Sequence, residues 1–150
     1  MAAQDLNDLF AGTPIEDLLY RRLRQTGLLP EREFHVTITQ PGKSMPTHYF
    51  LDMAVLCAQR SLDIECDGDT WHSPPENIRT DNERDNSLNA NLWHVMRFNT
   101  IQLTQDMGST LNIIREAAHR YGGVMDPGEV VRRFGKDGQL GPGQAVLDFS

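Results

Sequence analysis

"HYFLDMAVLCAQRSLDIECD", residues 48–67, joins two apolar runs through a short polar link and plants acidic residues in both. The first run, "HYFLDMAVL" (48–56), is apolar at successive rather than alternate positions, the pattern of a strand covered on both faces. The link "AQRS" is too short for a crossover, so "LDIECD" (62–67) should return as its antiparallel partner. In that second strand Leu62, Ile64 and Cys66 share one face while Asp63, Glu65 and Asp67 share the other. A loop of two or four residues sets Asp52 beside Glu65 or Asp67 on that acidic face. A buried carboxylate without a partner is costly, so the pairing asks for a compensating charge.

The flanking segments frame this hairpin. "TPIEDLLYRRLRQTGLLP" (13–30) reads as a helix with Thr13 as N-cap, Pro14 at the first position and Glu16 completing a capping box. Ile15, Leu18, Leu19 and Leu23 form its apolar stripe, and Gly27 stops it. "REFHVTIT" (32–39) alternates as a strand does, and "QPGKSMPT" (40–47) is a loop. After the hairpin, "GDTWHSPPENIR" (68–79) is a loop. Residues 79–91 form an unusually polar helix that Asn91 can close in a left-handed conformation. "LWHVMRFN" (92–99) is another strand, and "LTQDMGSTLNIIREAAHRYG" (103–122) a final helix with Met107, Leu111, Ile114, Ala118 and Tyr121 on one face. The order of helix, three strands, helix, strand and helix predicts an α/β fold with a mixed central sheet flanked by helices on both faces.

Bulk properties narrow the function classes. The chain has 150 residues, enough for one domain with a real core, and 39% hydrophobic with 23% charged residues is ordinary for a globular protein. No apolar run approaches the ~20 residues that span a bilayer, and the N-terminal residues lack the pattern of a signal peptide, so no membrane partner is expected. Cys57 and Cys66 lie in apolar segments and read as reduced thiols of a cytoplasmic protein. A net charge of −7 argues against a general nucleic-acid coating protein, but a carboxylate-rich metal site adds negative charge of its own.

Two carboxylates on neighbouring strands make a hard oxygen site of the kind Mg²⁺ favours, with Mn²⁺ as a substitute. The segment "DMAV…LDIECDG" resembles the Asp…Glu-x-Lys core of the PD-(D/E)XK nuclease superfamily, whose restriction-endonuclease-like fold is the α/β arrangement expected above. More narrowly, "TPIEDLLYRRLRQTGL", "YFLDMAV", "IECDGDTWH" and "DNERDNSLNANLWHVMRF" follow the order found in Vsr-like endonuclease-domain proteins, with Gly68, Trp71 and His72 matching a Gly-x-x-Trp-His segment. The resemblance divides the chain into an arm (1–12), a nuclease domain (13–121) and a Gly-rich tail or appendage (122–150).

It implies that Asp52 and Glu65 ligate Mg²⁺ with the backbone carbonyl of Cys66 as third oxygen, that Glu16 reaches the site through water or a second metal, and that His72 serves as general base. The superfamily's Lys is replaced by Asp67, which would join the catalytic acids. The Vsr-like proteins are relatives of the very-short-patch mismatch endonuclease, whose structural zinc cannot be built from these two cysteines, so mismatch specificity is not implied. Arg84 and Arg97 would contact phosphate or orient a site carboxylate. Each residue also has a plainer reading: Glu16 as a cap, Asp67 with Gly68 as a turn, His72 as a loop histidine, Arg84 and Asp85 as a solvated helix face, and Arg97 as the partner of an acid.

The expected function is a Mg²⁺-dependent endonuclease acting on DNA, with RNA as the other substrate class and a homodimer or partner protein as sources of specificity. The rivals are a catalytically inactive nucleic-acid-binding module on the same fold, and a protein-interaction domain that docks through its tail.

Overall fold

The structure, a computed structural model, describes residues 14–67 and 75–134. The expected arm, the Thr13 cap, the loop carrying Gly68, Trp71 and His72, and residues 135–150 lie outside the described residues.

Helix α1 (Pro14–Gln25) ends where expected. Gly27 takes φ +80°, the Leu28 N–H donates to the Leu23 carbonyl (3.2 Å), and the Gly27 N–H donates to Arg24 (3.0 Å). These two bonds satisfy carbonyls the helix end would otherwise orphan, in a conformation that Gly adopts without strain. Leu19 and Leu23 are fully buried and Ile15 packs beside them, but Leu18 is 42% exposed. Leu18 thus falls outside the packed stripe, while Tyr20 packs against the same cluster.

Strands β1 (Glu31–Ile38), β2 (Thr47–Val55), β3 (Ser61–Asp67) and β4 (Trp93–Asn99) form one mixed sheet in the order β1-β2-β3-β4. The first three are antiparallel neighbours, and β4 runs parallel to β3. That parallel step requires a crossover, which helix α2 (Pro75–Ala90) supplies. Helix α2 starts earlier than residue 79, with Pro75 at its first position. Its end also differs from expectation: Leu92, not Asn91, takes the left-handed conformation (φ +70°). Asn91 instead donates its side-chain amide to the Ser87 carbonyl at 2.7 Å, tying off the last turn.

The expected final helix is two helices, α3 (Thr100–Gln105) and α4 (Met107–Arg120). Asn99 caps α3 in a reciprocal box with Gln102, while Asp106 leaves the helical region (φ −124°, ψ 35°) and breaks the run. The Thr110 hydroxyl then donates to the Gln102 carbonyl near the break.

Residues 122–134, the start of the Gly-rich segment, return to the sheet. Val124 bridges Cys57, the Met125 N–H donates to Leu56, and helix α5 (Pro127–Phe134) places Arg133 Nη1 2.9 Å from the Ala58 carbonyl. Met125 is buried.

Two apolar clusters sandwich the sheet. Leu19, Leu23, Ile64, Phe98, Leu103 and Ile114 represent the one beneath α1, α3 and α4. Phe34, Val36, Leu51 and Trp93 pack with Leu88 of α2 in the other. Helices thus cover both faces, as expected. Among the described residues, no helix is long and apolar enough to cross a membrane.

One irregularity positions the site. In the β1–β2 register, Arg32↔Met53 and Phe34↔Leu51 are paired, but the intervening Glu33 and Asp52 are not. Met53 packs in the first cluster and Leu51 in the second. Arg32 likewise pairs with Asp17 of α1, whereas Phe34 meets Trp93. The hairpin reverses the face it presents across this point, and Glu33 (φ +49°) absorbs the turn. Asp52 sits in the break.

Candidate active site

The β2–β3 ladder runs Val55↔Leu62, Ala54↔Asp63, Met53↔Ile64. Continued by one step it brings Asp52 opposite Glu65, the first of the two pairings the sequence allowed. There the strands exchange side-chain bonds instead. The Asp52 N–H donates to Glu65 Oε2 (3.2 Å), and the Cys66 N–H donates to Asp52 Oδ2 (3.0 Å). Each carboxylate takes the place of a ladder carbonyl, so both are held by backbone rather than by flexible partners. Burial and the neighbouring Glu65 charge push Asp52 up to about 6.

The acidic face of β3 meets α2 through Arg84. Its Nη2 donates to Glu65 Oε2 at 2.8 Å, and its Nη1 lies 3.1 Å from Asp63 Oδ2 and 3.2 Å from Asp85 Oδ1. Asp63 is fully buried. The Nη1 contact is within ion-pair range but not aligned as a hydrogen bond, and neither Asp63 oxygen has a hydrogen-bond partner among the described residues.

Burial, then Asp63, drives Glu65 up to about 9, and burial raises Asp63 as well. Burial works against the Arg84 charge too, yet Asp63 and Glu65 outweigh it and its pKa rises. A single guanidinium cannot neutralise Asp52, Asp63 and Glu65 together. The metal-free trio therefore keeps at least one proton at neutral pH.

Arg97 closes the outer side. Its Nε and Nη2 form a two-pronged pair with Asp85 (3.0 and 2.8 Å), and Nη1 reaches Asp67 Oδ1 at 2.9 Å. The Asp85 bonds, with Asp67 behind them, raise its pKa despite partial burial. Five carboxylates (Asp52, Asp63, Glu65, Asp67 and Asp85) thus surround two guanidiniums (Arg84 and Arg97).

The structure brings together most of the sequence-predicted residues. Asp52, Glu65, Asp67, Arg84 and Arg97 fall in one network. Glu16 approaches from α1: with Asp52, Glu65 and Asp67 its charge adds to burial in raising the Cys66 thiol. His72 lies outside the described residues. Arg84 directs its donors at the acids of the site, and Arg97 pairs with Asp85 and Asp67, the plainer reading of that residue.

Asp63 and Asp85 were not among the predicted site residues. Asp63 carried a signal, a third acid in phase with Glu65 on a strand whose neighbours are apolar. Asp85 looked like one more solvated acid on a polar helix, and only the tertiary contact with Arg97 distinguishes it.

Asp52, Glu65 and the Cys66 carbonyl are all hard oxygen donors, on two strands, in a cluster with more acids than bases. That set suits Mg²⁺, which takes one or two carboxylates and completes its shell with water and substrate oxygens. Among the described residues no group of three or more His, Cys, Asp or Glu side chains is arranged as a ready-made cage, so the fit is to a sparse site of this kind.

Comparison with protein families finds one whose model, described as REase_MTES_1575, matches residues 16–117. No curated protein matched the chain, and no solved structure did.

Proposed function

Since the chain belongs to the REase_MTES_1575 family, a restriction-endonuclease-like family, we propose that it is a Mg²⁺-dependent endonuclease that hydrolyses phosphodiester bonds, with DNA as substrate. The observation that carries this reading is the backbone-held pair of Asp52 and Glu65 at the break in the β2–β3 ladder. Asp52, Glu65 and the Cys66 carbonyl are the residues that would hold the cation. When bound there, Mg²⁺ would polarise the phosphodiester and stabilise charge on its oxygens.

The chain's own residues would do the rest. The Cys66 and Asp52 amides fix the two carboxylates, Arg84 and Arg97 orient the acids around them, and Glu16 adds charge from α1. His72, which follows β3 in the sequence, is the proposed base that takes the proton of the attacking water. Kinship with the Vsr-like proteins is part of this proposal. It is supported by the sequence order from "TPIEDLLYRRLRQTGL" to "LWHVMRF" rather than by the family match. A cytoplasmic setting is proposed from the two free thiols, which an oxidising compartment would put at risk.

The test is nicking of supercoiled plasmid with Mg²⁺ or Mn²⁺, comparing the parent with Asp52→Ala and Glu65→Ala. Metal-dependent nicking lost in both variants is the expected result. Nicking that persists in both would remove this site from the reaction.

A second reading, a nucleic-acid-binding module without turnover, is favoured by one observation: Arg84 already occupies Glu65 at 2.8 Å. Parent protein that retards an oligonucleotide but takes up no Mn²⁺ by calorimetry would favour that reading.

A further inference from the structure

Arg84 is bound to more acids than a surface ion pair needs, and one of them is unusual. Asp63 is fully buried and lacks an aligned hydrogen bond, a costly state for a carboxylate unless a cation is held next to it. Only Arg84 Nη1, at 3.1 Å, meets that need among the ion pairs described, while Nη2 of the same group holds Glu65 at 2.8 Å. The guanidinium therefore bridges a carboxylate that is walled in and one at the edge of the break, where Asp52 also stands. Its fork allows Nη2 to let go while Nη1 keeps its hold.

We propose that Arg84 is a resident counter-cation of the site: it occupies Glu65 in the metal-free protein, yields Glu65 to an arriving divalent ion, and stays tethered meanwhile by the buried Asp63. This inference rests on the proposed metal site and makes Arg84 and Asp63 positioning residues of it. The physical content is competition. Glu65 cannot be fully neutralised by a guanidinium and also by a doubly charged ion in the same small volume, because the two cations repel. Arg84 consequently weakens divalent-ion binding while stabilising the empty site. An ordinary structural ion pair would affect stability alone.

Two measurements test this. In metal-free buffer, thermal melts of Arg84→Met, Glu65→Gln and the double variant form a cycle. A counter-cation predicts that Arg84→Met lowers the melting temperature and that adding Glu65→Gln restores much of the loss. Equal losses with and without Glu65→Gln would overturn the pairing.

Mn²⁺ alone is then titrated by calorimetry into the parent, Arg84→Met and Asp63→Asn. Arg84→Met should bind Mn²⁺ about ten-fold more tightly or better, since one like charge close to the ion is removed. Asp63→Asn should bind more weakly, having lost a nearby negative charge. Unchanged or weaker binding in Arg84→Met would overturn the inference and leave the metal site standing. Absence of Mn²⁺ uptake by parent and Arg84→Met alike would overturn the displacement together with the metal-dependent reading. Should Arg84→Met fail to fold, Arg84→Gln serves in its place: it removes the charge but keeps hydrogen-bond donors, and Mn²⁺ binding should again tighten.

Discussion

Raising the pH should destabilise the metal-free protein, and Glu65 should be the reason. Its carboxyl is pushed from the ordinary 4.5 up to about 9, first by burial and then by Asp63. Between those values the folded chain holds a proton that the unfolded chain has released. A group with a raised pKa of this kind contributes stability at low pH and loses it as pH climbs toward the folded value. One excess bound proton corresponds to a slope of ~1.4 kcal/mol per pH unit. From about pH 7 to about pH 8.5 the loss is therefore ~2 kcal/mol, which for a domain of this size lowers the melting temperature by roughly 5–10 °C.

The window avoids two other contributions. Asp52, raised to about 6, has released its proton below it. His94, whose pKa is lowered by burial and by Arg60 and Arg120, titrates below it with the opposite sign. Circular-dichroism melts in EDTA at the two pH values measure the effect, and Glu65→Gln provides the control. The parent should lose stability across the window, and the variant should keep only the shallower slope that the raised Cys57 and Cys66 thiols add near its upper end. A parent with equal melting temperatures, or a variant that keeps the full slope, would show that Glu65 holds no such proton.

The same proton bears on metal uptake. A cation must displace it, so apparent Mn²⁺ affinity measured by calorimetry should rise about ten-fold per unit between about pH 6 and about pH 8. Leu88 is fully buried against the sheet from the polar helix that carries Arg84 and Asp85. Leu88→Ala should cost ~2–5 kcal/mol by urea denaturation, and a cost below that range would mean α2 is held by its ion pairs. Gly122 has φ +94°, and an added Cβ would stand 3.0 Å from the Ala58 Cβ. Gly122→Ala should therefore lower stability by ~1–3 kcal/mol in the same assay.

Much of the fold was legible because the hydrophobic pattern carries it. The central place of β2 follows from the apolar residues on both faces of "HYFLDMAVL", and the Gly27 stop from a residue that can enter the left-handed region. The pairing of Asp52 with Glu65 was legible as one of two registers, since strand alternation and a short link restrict the options to those. What stayed hidden depends on contacts between distant segments. Local propensity favours Asn91 over Leu92 as the left-handed residue, and the packing of α2 against β4 overrides it. The break at Asp106 interrupts a run whose apolar spacing continues through it. Asp85 and Arg97 acquire their meaning only when α2 lies across the sheet and their two-pronged pair forms.

The face reversal at Glu33 and Asp52 links these two kinds of information. A regular β2–β3 ladder would have used the Asp52 amide on a strand carbonyl and turned the carboxylate onto one face. By leaving the β1–β2 register at that pair, the hairpin frees the Asp52 N–H for Glu65 and lets the Asp52 side chain accept from Cys66. The left-handed Glu33 is a local cost, since a side chain there is disfavoured by about 1–2 kcal/mol. Its effect is to bring two acids together at a point where both apolar clusters meet the sheet. The polarity of α2 then follows. A helix covering that point must bring a cation to the carboxylates, which is why a crossover helix in the middle of the fold carries Arg84 and, among its described side chains, buries only Leu88.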